Sequence, residues 1–190
     1  MTHELVELAR KTLECYFQEE DFEPSEEIKE KHSEEKASFV TLTKHSESEA
    51  KEESLRGCIG SLEAVRGRPL WRDVQKNTLN AAFSDPRFPP LEKEELRKIK
   101  IEVSVLGKAK KLDFNSEDEL LEKLNKEQGV ILIDKETGQT STFLPQVWEH
   151  LPDKKGFMNN LSVKAGLKPD RWKSPEKVRI LVYDVDKYKE

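Results

Sequence analysis

The sequence predicts an α+β fold, a mixed sheet with flanking helices. Three observations carry that expectation. Leu5, Val6, Ala9, Leu13, Tyr16 and Phe17 recur at helical spacing. Ile99, Ile101, Val103 and Val105 alternate with Lys100, Glu102, Ser104 and Leu106, the period of a half-buried strand. Helices and strands are interspersed without regular βαβ units, which disfavours a doubly wound sheet.

Taken in order, residues 3–19 read as an amphipathic helix with Thr2 as its N-cap. Pro24 and Ser25 open a second, short helix. Residues 37–43, alternating around Phe39, form a strand, and the polar stretch 45–53 suits an exposed turn or hairpin tip. Residues 55–61 form the next strand. Pro69 starts a helix whose inner face is Leu70, Val74, Thr78, Ala81 and Ala82. Three prolines within residues 86–90 make a stiff non-helical loop, and residues 91–98 a short helix. After the strand 99–106, Ser116 and Glu119 form a capping box for a helix reaching about Lys126. Residues 130–134 and 140–144 are strands joined by a turn at Gly138. Phe157, Leu161 and Ala165 mark a helix stopped at Gly166, and 178–185 a final buried strand.

Composition bounds the function. A chain of 190 residues buries about 70% of its unfolded surface without disulfides or metals. Hydrophobic content of 35% against 37% charged places the core in short, well-patterned segments. No cationic start precedes an apolar stretch at the amino end. Apolar runs such as Val130-Ile131-Leu132-Ile133 fall far short of the roughly 20 residues that cross a bilayer. Two cysteines, Cys15 and Cys58, are too few for a disulfide framework. A cytoplasmic protein without a membrane segment is expected. His3, His32, His45 and His150 show no paired ligand spacing and no glycine-rich phosphate loop opens a helix, so neither metal nor cofactor is expected.

Charge is uneven. The net charge of −5 argues against a dedicated duplex-DNA binder. Residues 19–53 hold 13 acids and 5 bases, whereas residues 153–173 hold 6 bases and 2 acids. Phe157 and Trp172 lie within the basic stretch, a combination that suits single-stranded nucleic acid. Overall acidity, and the fit of Phe157 to a buried helix stripe, weigh against that use.

The segment Leu55-Arg56-Gly57-Cys58-Ile59-Gly60 is the most informative. On a regular strand Arg56 and Cys58 share one face and Leu55 and Ile59 the other, while Gly57 and Gly60 let a ligand or another backbone come close. One reading is a cysteine nucleophile supported by a cation. A charge about 7 Å away is worth about 0.6 kcal/mol in water and about 2.4 kcal/mol at an effective dielectric of 20, so Arg56 alone helps a thiolate without securing it. The other reading is a small buried thiol on a strand.

This segment resembles the hallmark of the AMMECR family, and further stretches match in the same order. They are Phe39-Val40-Thr41-Leu42, Asp85-Pro86-Arg87-Phe88-Pro89-Pro90-Leu91, Glu102-Val103-Ser104-Val105-Leu106, Leu144-Pro145-Gln146-Val147 and Lys164-Ala165-Gly166-Leu167, followed by Trp172. The resemblance covers nearly the whole chain and implies a single AMMECR-like domain over residues 1–190, with a larger and a smaller subdomain around a cleft holding the hallmark. It implies no established reaction. Prokaryotic members are associated with Memo-like and radical-SAM proteins, which makes these the candidate partners. Among matched segments, Glu102 joins Cys58 and Arg56 as a candidate catalytic group, or else pairs with Arg56 to fix the sheet. Asp85, Arg87, Ser104 and Lys164 are candidate ligand-binding residues. Asp85 capping a local turn, Arg87 packing over Phe88, and Lys164 favouring a helix end are the structural alternatives.

Overall fold

A computed structural model describes residues 2–45 and 53–190. The expected hairpin tip at 45–53 falls mostly outside the described residues. The described chain forms two compact units, one of residues up to Leu106 together with Asp186–Glu190 and one of Gly107–Val185. The α+β class holds, with the strands divided between two four-stranded antiparallel sheets instead of one mixed sheet.

In the first unit the helices are α1 (Glu4–Gln18), α2 (Glu26–Lys31) and α3 (Leu70–Phe83). The strands are β1 (Ser38–His45), β2 (Glu53–Gly60) and β3 (Ile99–Leu106), in the order β2-β1-β3-β8, where β8 is Val185–Lys189. Val40 faces Val103 and Leu42 faces Ile101 across β1 and β3. These join Leu5, Ala9 and Leu13 of α1 and Leu70, Val74 and Ala81 of α3 in one core. Alternation sends Phe39, Thr41, Glu102 and Ser104 to the opposite face of the sheet. The cap of α1 is His3, whose side chain accepts from the Leu5 N–H at 3.3 Å, and not Thr2 as expected. Residues 91–98 give only a 3₁₀ turn, Lys93–Glu95. Between a proline pair and a strand there is too little chain to repay helix nucleation.

A buried polar cluster ties α3 to the strand ends. Asp73 is 1% exposed. One carboxylate oxygen accepts from the Ser38 N–H (2.9 Å), the Ser38 hydroxyl (2.8 Å) and the Asn77 amide (2.9 Å). The other accepts from the Ser61 hydroxyl (2.8 Å) and the Arg68 guanidinium (3.1 Å). Satisfied this way, a buried carboxylate is tolerated.

The second unit holds β4 (Lys110–Lys111), α4 (Glu117–Lys123), β5 (Gly129–Asp134), β6 (Thr140–Phe143), α5 (Val147–His150), α6 (Lys154–Lys164) and β7 (Val178–Tyr183). Its sheet order is β4-β7-β5-β6. Ser116 caps α4 by accepting from the Glu119 N–H, but the Glu119 carboxylate returns to the Asn115 N–H (2.8 Å) instead of closing a box on Ser116. Gly138 and Gly166 take the left-handed backbone expected of them, at φ 73° and 77°. The stretch expected as one strand, 178–185, breaks at Asp184, so β7 and β8 belong to different sheets.

Replacing Asp73 with Ala strands several donors at once. We expect a loss of about 3 kcal/mol of unfolding free energy, measured by urea denaturation with an unchanged m-value.

Candidate functional site

β2 is the edge strand of the first sheet, and its outer edge is occupied by the loop that follows α3. The Cys58 N–H donates to Asp85 Oδ2 at 2.9 Å, and Arg87 Nη2 donates to the Cys58 carbonyl at 3.3 Å. Asp85 also accepts from Arg87 Nε (2.9 Å), Arg87 Nη2 (2.7 Å) and the Arg87 N–H (3.1 Å). Pro86 stiffens the loop between the two. An acid and a base spaced by one proline thus satisfy a peptide group at the sheet edge as a neighbouring strand would. The Arg87 guanidinium holds the Asp85 carboxyl well below the usual carboxylate range, and Arg87 also lies 5.4 Å over the Phe88 ring. Both structural alternatives for these residues are therefore realised.

Arg56 does not stand beside Cys58. The register runs Leu42 to Gly57 and then Thr43 to Leu55, so Arg56 is the extra residue of a β-bulge and strict alternation fails there. Leu55, which a regular strand would place on the face of Ile59, is 41% exposed. Arg56 is buried and grips Glu95 with two bonds of 3.0 and 2.7 Å while donating to the carbonyls of Pro89 (3.0 Å) and Pro90 (3.2 Å). The Glu95 carboxyl drops to about 2, mainly through Arg56. Lys44, whose partner on β3 is the core residue Ile99, reaches the same carboxylate at 3.4 Å. The expected Arg56–Glu102 pair is thus replaced by Arg56–Glu95.

The glycines have packing reasons. A Cβ on Gly57 would meet the Ala81 carbonyl oxygen of α3 at 2.1 Å, and one on Gly60 would meet the Phe39 ring at 2.2 Å. Of the two alternatives the sequence offered, a ligand or another backbone, Gly57 meets the second, and at Gly60 the close neighbour is a ring.

Cys58 lies on the outer face opposite Thr41, which in turn lies opposite Glu102. β1 therefore separates the strands of Cys58 and Glu102, and Thr41 joins them. Its hydroxyl donates to Cys58 Sγ at 3.3 Å. Glu102 pairs with Lys189 (2.8 Å) and accepts from Ser104 (3.3 Å). Burial pushes the Cys58 thiol up, and Asp85 and Glu102 add to that, against the opposing pull of Thr41 and Arg87. The cation near Cys58 is Arg87, not Arg56. Lys164 belongs to the second unit, where its ammonium donates to the Thr142 carbonyl (3.0 Å) and lies 5.0 Å over the Phe143 ring.

In the basic stretch of the second unit, Phe157 and Trp172 are fully buried. Lys155 and Lys173 share Glu117, and Arg171 joins Asp134 and Glu136. The stacking platform that single-strand binding uses is missing from this stretch.

The sequence model of the AMMECR1 family matches residues 6–188. The chain belongs to the AMMECR1 family. It is 38% identical over 181 residues to protein NEQ441 of Nanoarchaeum equitans, covering 95% of each chain. It is 36% identical over 196 residues to protein MK0488 of Methanopyrus kandleri, covering 98% of this chain and 86% of that one. The crystal structure of the uncharacterized protein PH0010 from Pyrococcus horikoshii is similar, with a TM-score of 0.83 at 30% identity over 98% of this chain and 89% of that one.

In this member of the AMMECR1 family, sequence reasoning missed Thr41, Glu95 and Asp73. Thr41 was one strand residue among many, and Glu95 one acid in a charged run. Asp73 and Asn77 sit four apart on the face of α3 that carries Leu70 and Val74, a polar intrusion on an apolar stripe that could have marked them.

Two measurements follow. Gly57→Ala should cost about 1–3 kcal/mol of stability or more, because backbone has to move. Asp85 and Glu95 both titrate lower when folded than when unfolded. Their contribution is whole above about pH 5 and fades as pH falls through the unfolded and then the folded values. Stability measured from pH 6 down to pH 2 should decline, and less steeply in Glu95→Gln than in the wild type.

Proposed function

We propose that the protein works by binding a partner and not by covalent catalysis, through the outer face of its first sheet around Cys58, Thr41, Glu102 and Arg87. The state of Cys58 supports this most. Its thiol is pushed up by burial, Arg56 is committed to Glu95 and Arg87 is shared with Asp85. Among the described residues no histidine is hydrogen-bonded to its sulfur. An activated nucleophile needs a nearby base or a depressed thiol pKa.

This face offers a thiol, a hydroxyl, a carboxylate and a half-exposed guanidinium, a mixed hydrogen-bonding set that suits a polar segment of another protein. The family resemblance suggests Memo-like and radical-SAM proteins as partners, and a Memo-like protein is the first to test.

Alkylation of Cys58 followed by mass spectrometry across pH should show it titrating above an ordinary thiol. Titration below pH 8 would revive the catalytic reading. Calorimetric titration with a purified Memo-like protein should give saturable binding that Glu102→Gln and Arg87→Ala each weaken about tenfold. Absence of binding rejects this partner, and affinities unchanged by both substitutions reject this face.

A further inference from the structure

Between Lys11 and Lys29 the chain carries seven carboxylates and no lysine or arginine. α1 ends inside this stretch, and its last turn holds no basic residue. The carbonyl end of a helix carries partial negative charge that a cation ordinarily offsets. Here the residues that follow add to it. Glu23 and Glu26 are answered by Lys29, at 3.0 Å each. Glu14, Glu19, Glu20 and Asp21 make no ion pair among the described residues.

Aromatic surface lies against this charge. Tyr16 is 50% exposed. Its ring centroid is 4.3 Å from that of Phe83, and Phe17 meets both rings edge-on at 5.8 Å. Tyr16, Phe17, Glu19, Glu20 and Asp21 line a groove of about 510 Å³.

We propose that this groove docks a basic segment of a protein partner, with an arginine or lysine side chain laid on the Tyr16 ring and its charge met by Glu19, Glu20 and Asp21. Charge complementarity selects that occupant. The negative face of an aromatic ring attracts a cation within about 6 Å, and the guanidinium plane both stacks on a ring and forks to a carboxylate. An apolar segment would bury carboxylates without partners, at high cost. An acidic segment would meet three uncompensated charges and the helix end. The groove shares no residue with the face around Cys58, so the two proposals stand or fall separately.

The test uses N-acetyl tetra-arginine amide as probe, titrated into the full chain at low ionic strength and followed by amide and ring NMR shifts. Saturable shifts centred on Tyr16, Phe17 and residues 19–21 are expected, with no shifts from tetra-glutamate. Tyr16→Ala should weaken binding about threefold. The triple variant Glu19→Gln, Glu20→Gln, Asp21→Asn should weaken it about tenfold. A control triple that removes the same charge elsewhere, Glu63→Gln, Glu122→Gln and Glu127→Gln, should change it less than about twofold. Shifts spread over the surface, equal weakening by both triples, or no saturation would each overturn the proposal.

Discussion

The edge of the first sheet is held by one carboxylate. Asp85 receives the outward N–H of Cys58 and, through Arg87, governs the carbonyl of the same residue. The hallmark strand would otherwise end the sheet with an unpaired peptide group. Arg56 reinforces the attachment further along the loop, at the carbonyls of Pro89 and Pro90. Two segments far apart in sequence, Leu-Arg-Gly-Cys-Ile-Gly and Asp-Pro-Arg-Phe-Pro-Pro, are therefore the two halves of one fastening. Prolines suit the loop half because they lack the N–H groups that would compete for the same acceptors.

This fastening explains why a motif that looks catalytic is built largely of structural parts. A guanidinium next to a cysteine suggests activation of the thiol. Here the bulge turns the guanidinium away, and the second arginine comes with its own aspartate. The glycines mark contacts of the strand with α3 and with Phe39, both too close for a Cβ. What the motif presents outward is small and neutral at its centre, a thiol hydrogen-bonded by Thr41, with charge arranged at its margins.

Much of the fold was legible because periodicity is local. The stripe from Leu5 to Phe17 and the alternation from Ile99 to Val105 each specify an element and its buried face. So did Gly138 and Gly166, where a turn and a helix stop require positive φ. The parts that could not be read depend on pairing. Alternation places Arg56 beside Cys58 only if the strand is regular, and the bulge is a property of β2 against β1, not of β2 alone. The break at Asp184 was invisible for a similar reason. Val182, Tyr183 and Val185 continue an apolar pattern, yet the Asp184 carbonyl takes the Gly107 N–H (2.8 Å) and the chain changes sheets. α5 is only four residues long, and its anchor is tertiary: Trp148 stacks on Phe157 at 3.5 Å and donates to the Gln128 carbonyl at 3.0 Å.

That change of sheets at Asp184 has a consequence for biosynthesis. The second unit is an uninterrupted stretch of chain, but the first is discontinuous in sequence and draws one of its two edge strands from beyond residue 184. On the ribosome, β3 stays an uncovered sheet edge while about 80 further residues are translated, a delay of several seconds at ordinary elongation rates. During that interval the nascent polypeptide carries a sticky β-edge, which makes the wait before β8 the period in which a chaperone has most to protect.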